Sequence, residues 1–598
     1  MRRSGAVVLT VLLLLTGGCG DGGGAARSAH DAPAPLTVTT TSGTLHGRSV
    51  GSVHEFTGVR YALAPTGDRR WALPHPVRPA TARSAPAPPG ADGTEGPAPT
   101  ARVPALPAPA ASRPISPSGP PGSTAGPGSA APSAPPGPRC PQAPSLPGAQ
   151  PSTTEDCLFL HVTAPGSRRA GERLPVMVWW HGGGFISGSG GDYGARRLVE
   201  RGRVVVITVN YRLGVLGYFG LPGLKDSGSF GFADQLASVR WAQRNAAVFG
   251  GDPDNITVFG QSAGAMSACA LLTSPHARDL VDKVILMSGS CLLEWPAGAF
   301  YPDSPPQTPY VPVAEDRSQG AGAARRLGCH GPDTLACMRD KPVPELLRVD
   351  NSVADHLAQG TELVPGDPAR ALREGRFARI PVLAGGTRDE ARTFVAGALR
   401  VSRTRVTDTG YSELLRTAFG TRAPAVAGRY PVGKYPSPAL AWATVVTDSG
   451  WACPTLAAQR ALAAHTTVYG YEFADTTAPD VTGVRLPGLP QGAGHASDLP
   501  YLFDLGGHDL LTTSAQRALS HRMIDYITSF ARDGRPASPD GPRWPKATPT
   551  ATTALRLAPG RIAPTDLSRE HHCDFWSVPA AGGRGGVTAA SPASRRTR

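Results

Sequence analysis

Short, continuously apolar runs alternate with longer amphipathic segments over most of the chain. Residues 176–180, 204–209 and 256–259 are runs of strand length, rich in Val and Ile. Such runs are expected for strands that are buried on both faces of a mostly parallel sheet. Residues 232–248 carry apolar side chains at roughly helical spacing, and a Phe-Gly-Gly-Asp-Pro sequence then stops the pattern. The alternation of the two patterns predicts an α/β fold.

A different composition interrupts this pattern. Residues 83–139 are almost wholly Pro, Ala, Gly and Ser, a composition that buries too little apolar surface to offset its ordering entropy. We therefore predict a disordered insertion within one α/β domain that spans residues 37–576. A flexible tether at residues 19–36 and a flexible tail at residues 577–598 are expected to flank this domain.

The charge of the chain does not point to nucleic acid. The formal net charge is +13, but only five of the 59 basic residues are Lys, and the Arg residues are scattered without a long basic run. A nucleic-acid interface would concentrate basic residues on one stripe or patch. Nucleic acid is therefore not expected as a partner.

The N-terminus has the pattern of an export signal. Arg2 and Arg3 precede an apolar run at residues 6–15, and two glycines then lead to Cys19. The run is too short for a stable membrane span, and the pattern predicts a signal peptide at residues 1–18. Small residues directly before Cys19 favour a bacterial lipoprotein signal, with lipid attached to Cys19 as the only membrane contact. The alternative is an ordinary signal peptide and a secreted protein, since Thr16 stands where lipoprotein signals usually have an aliphatic residue.

The remaining eight cysteines would then lie in an oxidising compartment, where disulfides persist. Two pairs are close in sequence and one is distant, and they are Cys140 with Cys157, Cys329 with Cys337, and Cys453 with Cys573. Cys269 and Cys291 remain, either as buried thiols or as a fourth disulfide.

The candidate nucleophile is Ser262. It lies in a Gly-Gln-Ser-Ala-Gly sequence that follows the predicted strand 256–259 and opens an apolar helix at residues 263–272. A strand-to-helix turn of this kind exposes a serine at the carboxyl end of a sheet. A serine hydroxyl also needs a base and donors for the oxyanion. The backbone N–H groups of Gly183, Gly184 and Ala263 are the candidate donors.

Several segments together resemble the type-B carboxylesterase family, which includes cholinesterases and bacterial esterases. The matching stretches are residues 56–62, 155–160, 181–185, 210–214, 249–253 and 260–264. The resemblance covers roughly residues 36–576 apart from the insertion. It implies the α/β-hydrolase fold, with a central, mostly parallel twisted sheet flanked by helices.

The resemblance also implies the partners of the serine. The family places its acid in an Asp-Glu-Gly segment after a strand, which matches Asp389-Glu390-Ala391 here and makes Glu390 the acid. Asp389 is the fallback, because Ala391 stands where the family usually has Gly. The family's Gly-Ala-x-His segment matches His495 as the base, and the order Ser, acid, His agrees with the fold.

Family members also have disulfides at the three pairs of positions given above. The substrate pocket departs from that of cholinesterases, which bind a quaternary ammonium on aromatic faces. Thr393 replaces an aromatic residue beside Phe394, and Gln261 stands where many relatives have Glu. Choline esters are therefore not expected, and Trp295 and Phe394 are candidates for lining the acyl side or for ordinary core positions.

The sequence thus predicts a serine carboxylic-ester hydrolase that forms an acyl-enzyme on Ser262 and requires no metal or cofactor. Its partner is a small-molecule ester of unspecified acyl length, and its oligomeric state is not indicated. Three alternatives remain: an inactive binding or adhesion-like member of the same fold, a lipase for long acyl chains, and an amidase.

Overall fold

The computed structural model describes residues 31–77, 137–144, 151–301, 303–349 and 354–577. The predicted signal peptide, Cys19, nearly all of the Pro-rich insertion and the tail beyond residue 577 lie outside the described residues.

The described residues form nineteen strands: β1 Ala32–Pro33, β2 Thr37–Thr40, β3 Gly43–His46, β4 Arg48–Val50, β5 Val53–Arg60, β6 Phe159–Pro165, β7 Ser167–Arg168, β8 Leu174–Trp180, β9 Tyr193–Gly194, β10 Val205–Val209, β11 Gly251–Gln261, β12 Lys283–Met287, β13 Tyr310–Pro312, β14 Leu357–Gln359, β15 Val382–Thr387, β16 Val468–Phe473, β17 Asp504–Leu505, β18 Thr553–Ala558 and β19 Arg561–Asp566. The same residues form seventeen α-helices: α1 Arg196–Gly202, α2 Gly214–Gly217, α3 Phe230–Asn245, α4 Ala263–Thr273, α5 Ala277–Leu280, α6 Val313–Arg326, α7 Thr334–Asp340, α8 Val343–Leu346, α9 Pro368–Arg373, α10 Ala391–Ser402, α11 Asp408–Phe419, α12 Ala423–Arg429, α13 Pro438–Val446, α14 Cys453–Ala463, α15 Ser514–Asp533, α16 Leu567–Glu570 and α17 Cys573–Trp576. A π-helix, Thr447–Ala452, joins α13 to α14.

One large sheet organises the molecule. Its eleven strands within the described residues follow the order β4-β5-β6-β10-β8-β11-β12-β15-β16-β18-β19. The strands from β10 to β18 are parallel, whereas the strands at both edges are antiparallel. The predicted α/β-hydrolase fold is confirmed. The carboxyl ends of the parallel strands all lie on the same side of the sheet. In open α/β sheets the ligand site lies outside these carboxyl ends.

Both faces of the sheet are buried. In β8 the side chains of Val176, Val178 and Trp180 belong to a core shared with α3 and α4. Those of Met177 and Trp179 point to the opposite core, which α1 and α15 complete. This two-sided burial is the physical reason why the strand sequence is continuously apolar.

The three predicted strands are confirmed as β8, β10 and β11, although β11 begins five residues before the predicted start. The predicted helix at residues 232–248 is α3 followed by one 3₁₀ segment, Ala246–Phe249. Gly250, with φ of 82°, ends this segment in the left-handed region that glycine adopts without strain.

The residues that the structure describes include the ends of the predicted tether and of the predicted insertion. Within the predicted tether, β1 pairs with β7, and the carboxylate of Asp31 lies 3.2 Å from the Arg203 guanidinium. At the end of the predicted insertion, Arg139 donates a 2.7 Å hydrogen bond to Asp192. Residues 31–36 and 137–139 therefore pack against the domain.

The three predicted disulfides are confirmed, and a fourth joins Cys269 to Cys291. This pair links α4, which follows the candidate nucleophile, to the segment after β12. The alternative that the sequence left open for these two cysteines is thereby resolved. Among the described helices, none is long and apolar enough to cross a membrane.

Candidate active site

Ser262 occupies the turn between β11 and α4, with φ of 54° and ψ of −124°. Positive φ is uncommon for a residue other than glycine and marks a constrained position. Its flanking glycines allow the turn to be this tight. A Cβ atom on Gly260 would lie 2.5 Å from the carbonyl carbon of Gly264, and one on Gly264 would lie 1.9 Å from the Trp180 oxygen. The serine is therefore held at the carboxyl end of the sheet by close packing that only glycine permits.

The glycine loop after β8 lies against this turn. A Cβ atom on Gly182 would lie 3.1 Å from the Cβ atom of Ser262. Gly183 and Gly184 have φ of 110° and 60°, and a Cβ atom on Gly183 would lie 2.1 Å from the Ser187 oxygen. The glycine loop thus places its backbone atoms close to Ser262.

Ala263, the third candidate donor, is the first residue of α4. The first N–H groups of a helix have no partner within the helix. Its N–H is therefore free of the helical ladder at the residue next to the serine.

Glu390 and His495 are in direct contact. The Nδ1 atom of His495 lies 2.5 Å from Oε2 of Glu390, and the other carboxylate oxygen accepts a 2.8 Å hydrogen bond from the N–H of Thr387. Both side chains are almost fully buried, with 2% exposure for Glu390 and 7% for His495. The carboxylate is thus fixed at both oxygens, and it selects the tautomer with the proton on Nδ1.

Asp389, the fallback acid, has another role. Its Oδ2 atom accepts a 2.9 Å hydrogen bond from the N–H of Ala493, two residues before His495. The guanidinium groups of Arg388 and Arg392 lie 2.9 and 2.8 Å from the same carboxylate. Asp389 therefore anchors the loop that carries His495.

The second ring nitrogen of His495 faces Gln261. The Nε2 atom of Gln261 lies 3.0 Å from Nε2 of His495, and Gln261 is 3% exposed. With the proton on Nδ1, the amide N–H donates to the lone pair at Nε2. Within the described residues the hydroxyl of Ser262 makes no hydrogen bond. His495 is therefore hydrogen-bonded to Glu390 and Gln261, and it is not hydrogen-bonded to Ser262.

Aromatic rings surround the imidazole of His495. The ring centroids of Phe394 and Trp451 lie 4.7 and 4.9 Å from it, and these two rings stack on each other at 5.3 Å. Trp295 lies one layer further out, at 5.1 Å from Trp451. Sequence reasoning missed Trp451, which lies on the π-helix in a segment without a recognisable motif.

A buried acidic residue, Asp498, lies near Glu390 and His495. Asp498 is fully buried, and burial together with the charge of Glu390 raises its pKa to about 7. The hydroxyl of Tyr471 donates a 3.4 Å hydrogen bond to it. From sequence, Asp498 is visible only as an acidic residue three positions after His495, and its burial is not predicted.

A cavity of about 340 Å³ opens beside His495. Its walls come mainly from residues 476–497, and Thr393 of α10 closes one side. The candidate pocket residues Gln261 and Phe394 do not line this cavity. They contact His495 outside the cavity wall.

Comparisons with known proteins agree with this geometry. Residues 129–576 match the carboxylesterase family. The chain is 30% identical to the acylcarnitine hydrolase of Mus musculus over 66% of this chain and 70% of the relative. It is 28% identical to the cocaine esterase of Homo sapiens over 71% and 75% of the two chains. It is 30% identical to the acetylcholinesterase of Bungarus fasciatus over 71% and 72%.

These matches span the elbow serine, the glycine loop, and the acid and histidine that lie in contact. The chain therefore belongs to the carboxylesterase family, as a hydrolase of carboxylic esters.

Proposed function

We propose that the protein cleaves its ester through an acyl-enzyme on Ser262, with His495 as the base and Glu390 as the acid. The observation that supports this assignment best is the 2.5 Å contact between Glu390 and His495, two residues 105 positions apart. His495 also contacts Gln261, which directly precedes a serine with positive φ. Both features are typical of a serine hydrolase triad.

The first chemical step transfers a proton and forms a bond. Ser262 Oγ attacks the carbonyl carbon of the ester while Nε2 of His495 accepts its proton, which requires the amide of Gln261 to release that nitrogen. Glu390 stabilises the imidazolium that forms. The N–H groups of Gly183, Gly184 and Ala263 hold the negative oxygen of the tetrahedral intermediate.

The remaining steps return the enzyme to its starting state. The intermediate collapses, the carbon–oxygen bond to the alcohol breaks, and His495 donates its proton to the departing oxygen. Water then attacks the acyl-enzyme with His495 again as the base, and the acid is released.

An alanine variant tests the mechanism. Ser262→Ala should lower the hydrolysis of a short-chain p-nitrophenyl ester by at least about 10³-fold, since the nucleophile is lost. Ser267→Ala, in the same helix and fully buried, is the matched control and should retain activity. Unchanged turnover in Ser262→Ala would refute the assignment. Labelling by a fluorophosphonate separates an enzyme from an inactive binding protein, because only an activated serine reacts.

The pocket supports esters of uncharged alcohols rather than choline esters. Among the described residues that line the cavity beside His495, the imidazole itself is the only aromatic ring. A quaternary ammonium binds to aromatic faces. Acetylcholine should therefore be hydrolysed much more slowly than an uncharged acetate ester of similar size. Long-chain and amide substrates, assayed in parallel, distinguish the lipase and amidase alternatives.

We further propose export and a lipid anchor on Cys19. Four disulfides support an oxidising compartment, and the N-terminal sequence supports the anchor. Cys19→Ser should move the protein from the membrane fraction to the soluble fraction, and an unchanged distribution would contradict the anchor.

A further inference from the structure

The cavity beside His495 is built by a loop whose C-terminal end is tied to the residues at the start of α10. The guanidinium of Arg392 donates a 3.1 Å hydrogen bond to the Pro490 oxygen, and Asp389 accepts from Ala493. Near the other end, Asp480 accepts hydrogen bonds from the N–H groups of Thr482 and Gly483 at 2.9 Å each. The contacts of Arg392 and Asp389 fix this wall of the cavity next to His495, whereas the bonds of Asp480 form a turn within the loop.

Two side chains in the wall have buried polar atoms without a hydrogen-bond partner among the described residues, the amide of Gln491 and the hydroxyl of Ser497. Both amide atoms of Gln491 are buried and have no hydrogen-bond partner among the described residues. A buried amide without partners is costly, and such groups call for an explanation. A ligand that supplies both a donor and an acceptor would satisfy Gln491 after a rotation of its side chain.

The position of Gln491 relates it to the catalytic histidine. A Cβ atom on Gly494 would lie 2.7 Å from the Thr393 hydroxyl and 3.7 Å from Oε1 of Gln491. The hydroxyl and the amide therefore flank the residue that precedes His495. A group bound between them would lie next to the imidazole.

The two charged residues on the cavity wall pair with each other. Asp480 and Arg485 lie on the cavity wall as a pair, 3.5 Å apart. They are the only ionisable lining residues besides His495 in the described part of the chain. Because the pair is neutral overall, the cavity favours a neutral polar group over a cation or an anion.

We propose that this cavity binds the alcohol part of the ester, and that Gln491 recognises a carboxamide on that alcohol. The assignment to the alcohol rests on the proposed function, in which His495 donates its proton to the departing alcohol oxygen and the cavity opens beside His495. A carboxamide offers the donor and the acceptor that Gln491 lacks.

The test uses two butyrate esters of matched shape. One is the ester of 3-hydroxypropanamide, and the other is the ester of 3-methylbutan-1-ol, in which two methyl groups replace the amide oxygen and nitrogen. Each ester is compared with itself across variants, which cancels the difference in intrinsic reactivity. Gln491→Met should lower kcat/KM for the amide ester at least tenfold and change that of the methyl ester less than threefold.

Gln359 on β14 provides the control, since its Oε1 is also buried without a partner but lies outside the cavity. Gln359→Met should change neither ester. If Gln491→Met leaves the amide ester unaffected, or lowers both esters equally, the proposal is wrong. Wild-type turnover of p-nitrophenyl butyrate, lost in Ser262→Ala, shows in the same experiment that the proposed function holds independently of this result.

Discussion

Two buried histidines should make the fold sensitive to acid. Burial lowers the pKa of His161 and of His181 to about 4, from an ordinary value of 6.5. His161 lies on β6, and its Nε2 atom has no partner among the described residues. His181 begins the glycine loop, and its ring stacks on Tyr211 at 4.3 Å. Both rings are therefore neutral in the folded protein at pH 5, whereas the unfolded chain binds protons there.

The sign and size of the change in unfolding free energy follow from the linkage between proton binding and folding. Because the unfolded state binds more protons between pH 6.5 and pH 4, stability falls as the pH is lowered through that window. A gap of about 2.5 pKa units at roughly 1.4 kcal/mol per unit limits the loss to about 3 kcal/mol per histidine. About 2 kcal/mol of this loss is already expressed at pH 5 for each residue.

The assay is urea unfolding at pH 8, 7, 6 and 5 for the wild type and two variants. His161→Gln removes one titrating group, so its loss of unfolding free energy between pH 7 and pH 5 should be about 2 kcal/mol smaller than that of the wild type. His330→Gln, at an exposed position, should leave the loss unchanged. An identical pH dependence in His161→Gln and wild type would refute the reasoning.

Three further predictions concern stability. Gly264→Ala should fail to fold or should lower the melting temperature by many degrees, because its Cβ atom would lie 1.9 Å from a backbone oxygen of β8; a normal melting temperature would show that the turn can relax. Replacing Cys269 and Cys291 together by Ser should cost about 3 kcal/mol for a loop of this length, measured by urea unfolding after mass spectrometry has shown the disulfide in the wild type. Two flanking carboxylates raise the pKa of His571 against the opposing effect of burial, to about 10, so its stabilising contribution is complete below pH 6.5 and is lost as the pH rises through 10. His571→Gln should therefore be less stable at neutral pH and should lose less stability between pH 7 and pH 10, and equal alkaline losses in the variant and the wild type would contradict this.

Part of the site was predictable from sequence because it depends on local constraints. The turn at Ser262 needs a strand, a helix and two glycines within a few residues, and all of them are visible as a pattern. The strands β8, β10 and β11 were predictable for a similar reason, since two-sided burial imposes continuous apolar runs.

The choice between two adjacent acids was beyond local sequence. Asp389 and Glu390 are neighbours, and the resemblance alone favoured the second. Side-chain direction at the start of α10 distinguishes the two residues, because Glu390 contacts His495 and Asp389 contacts the backbone of the histidine loop. That direction exists only once β15, α10 and the loop have packed together.

The sequence by itself thus determined the α/β pattern, the elbow serine, the glycine loop and the family. Tertiary structure decided which distant groups meet: Trp451 against His495, Gln261 at its Nε2 atom, and Cys269 with Cys291. The physical reason is that local pattern reports burial and backbone conformation, whereas contacts between distant segments depend on how the crossovers bring the ends of the parallel strands to one edge of the sheet.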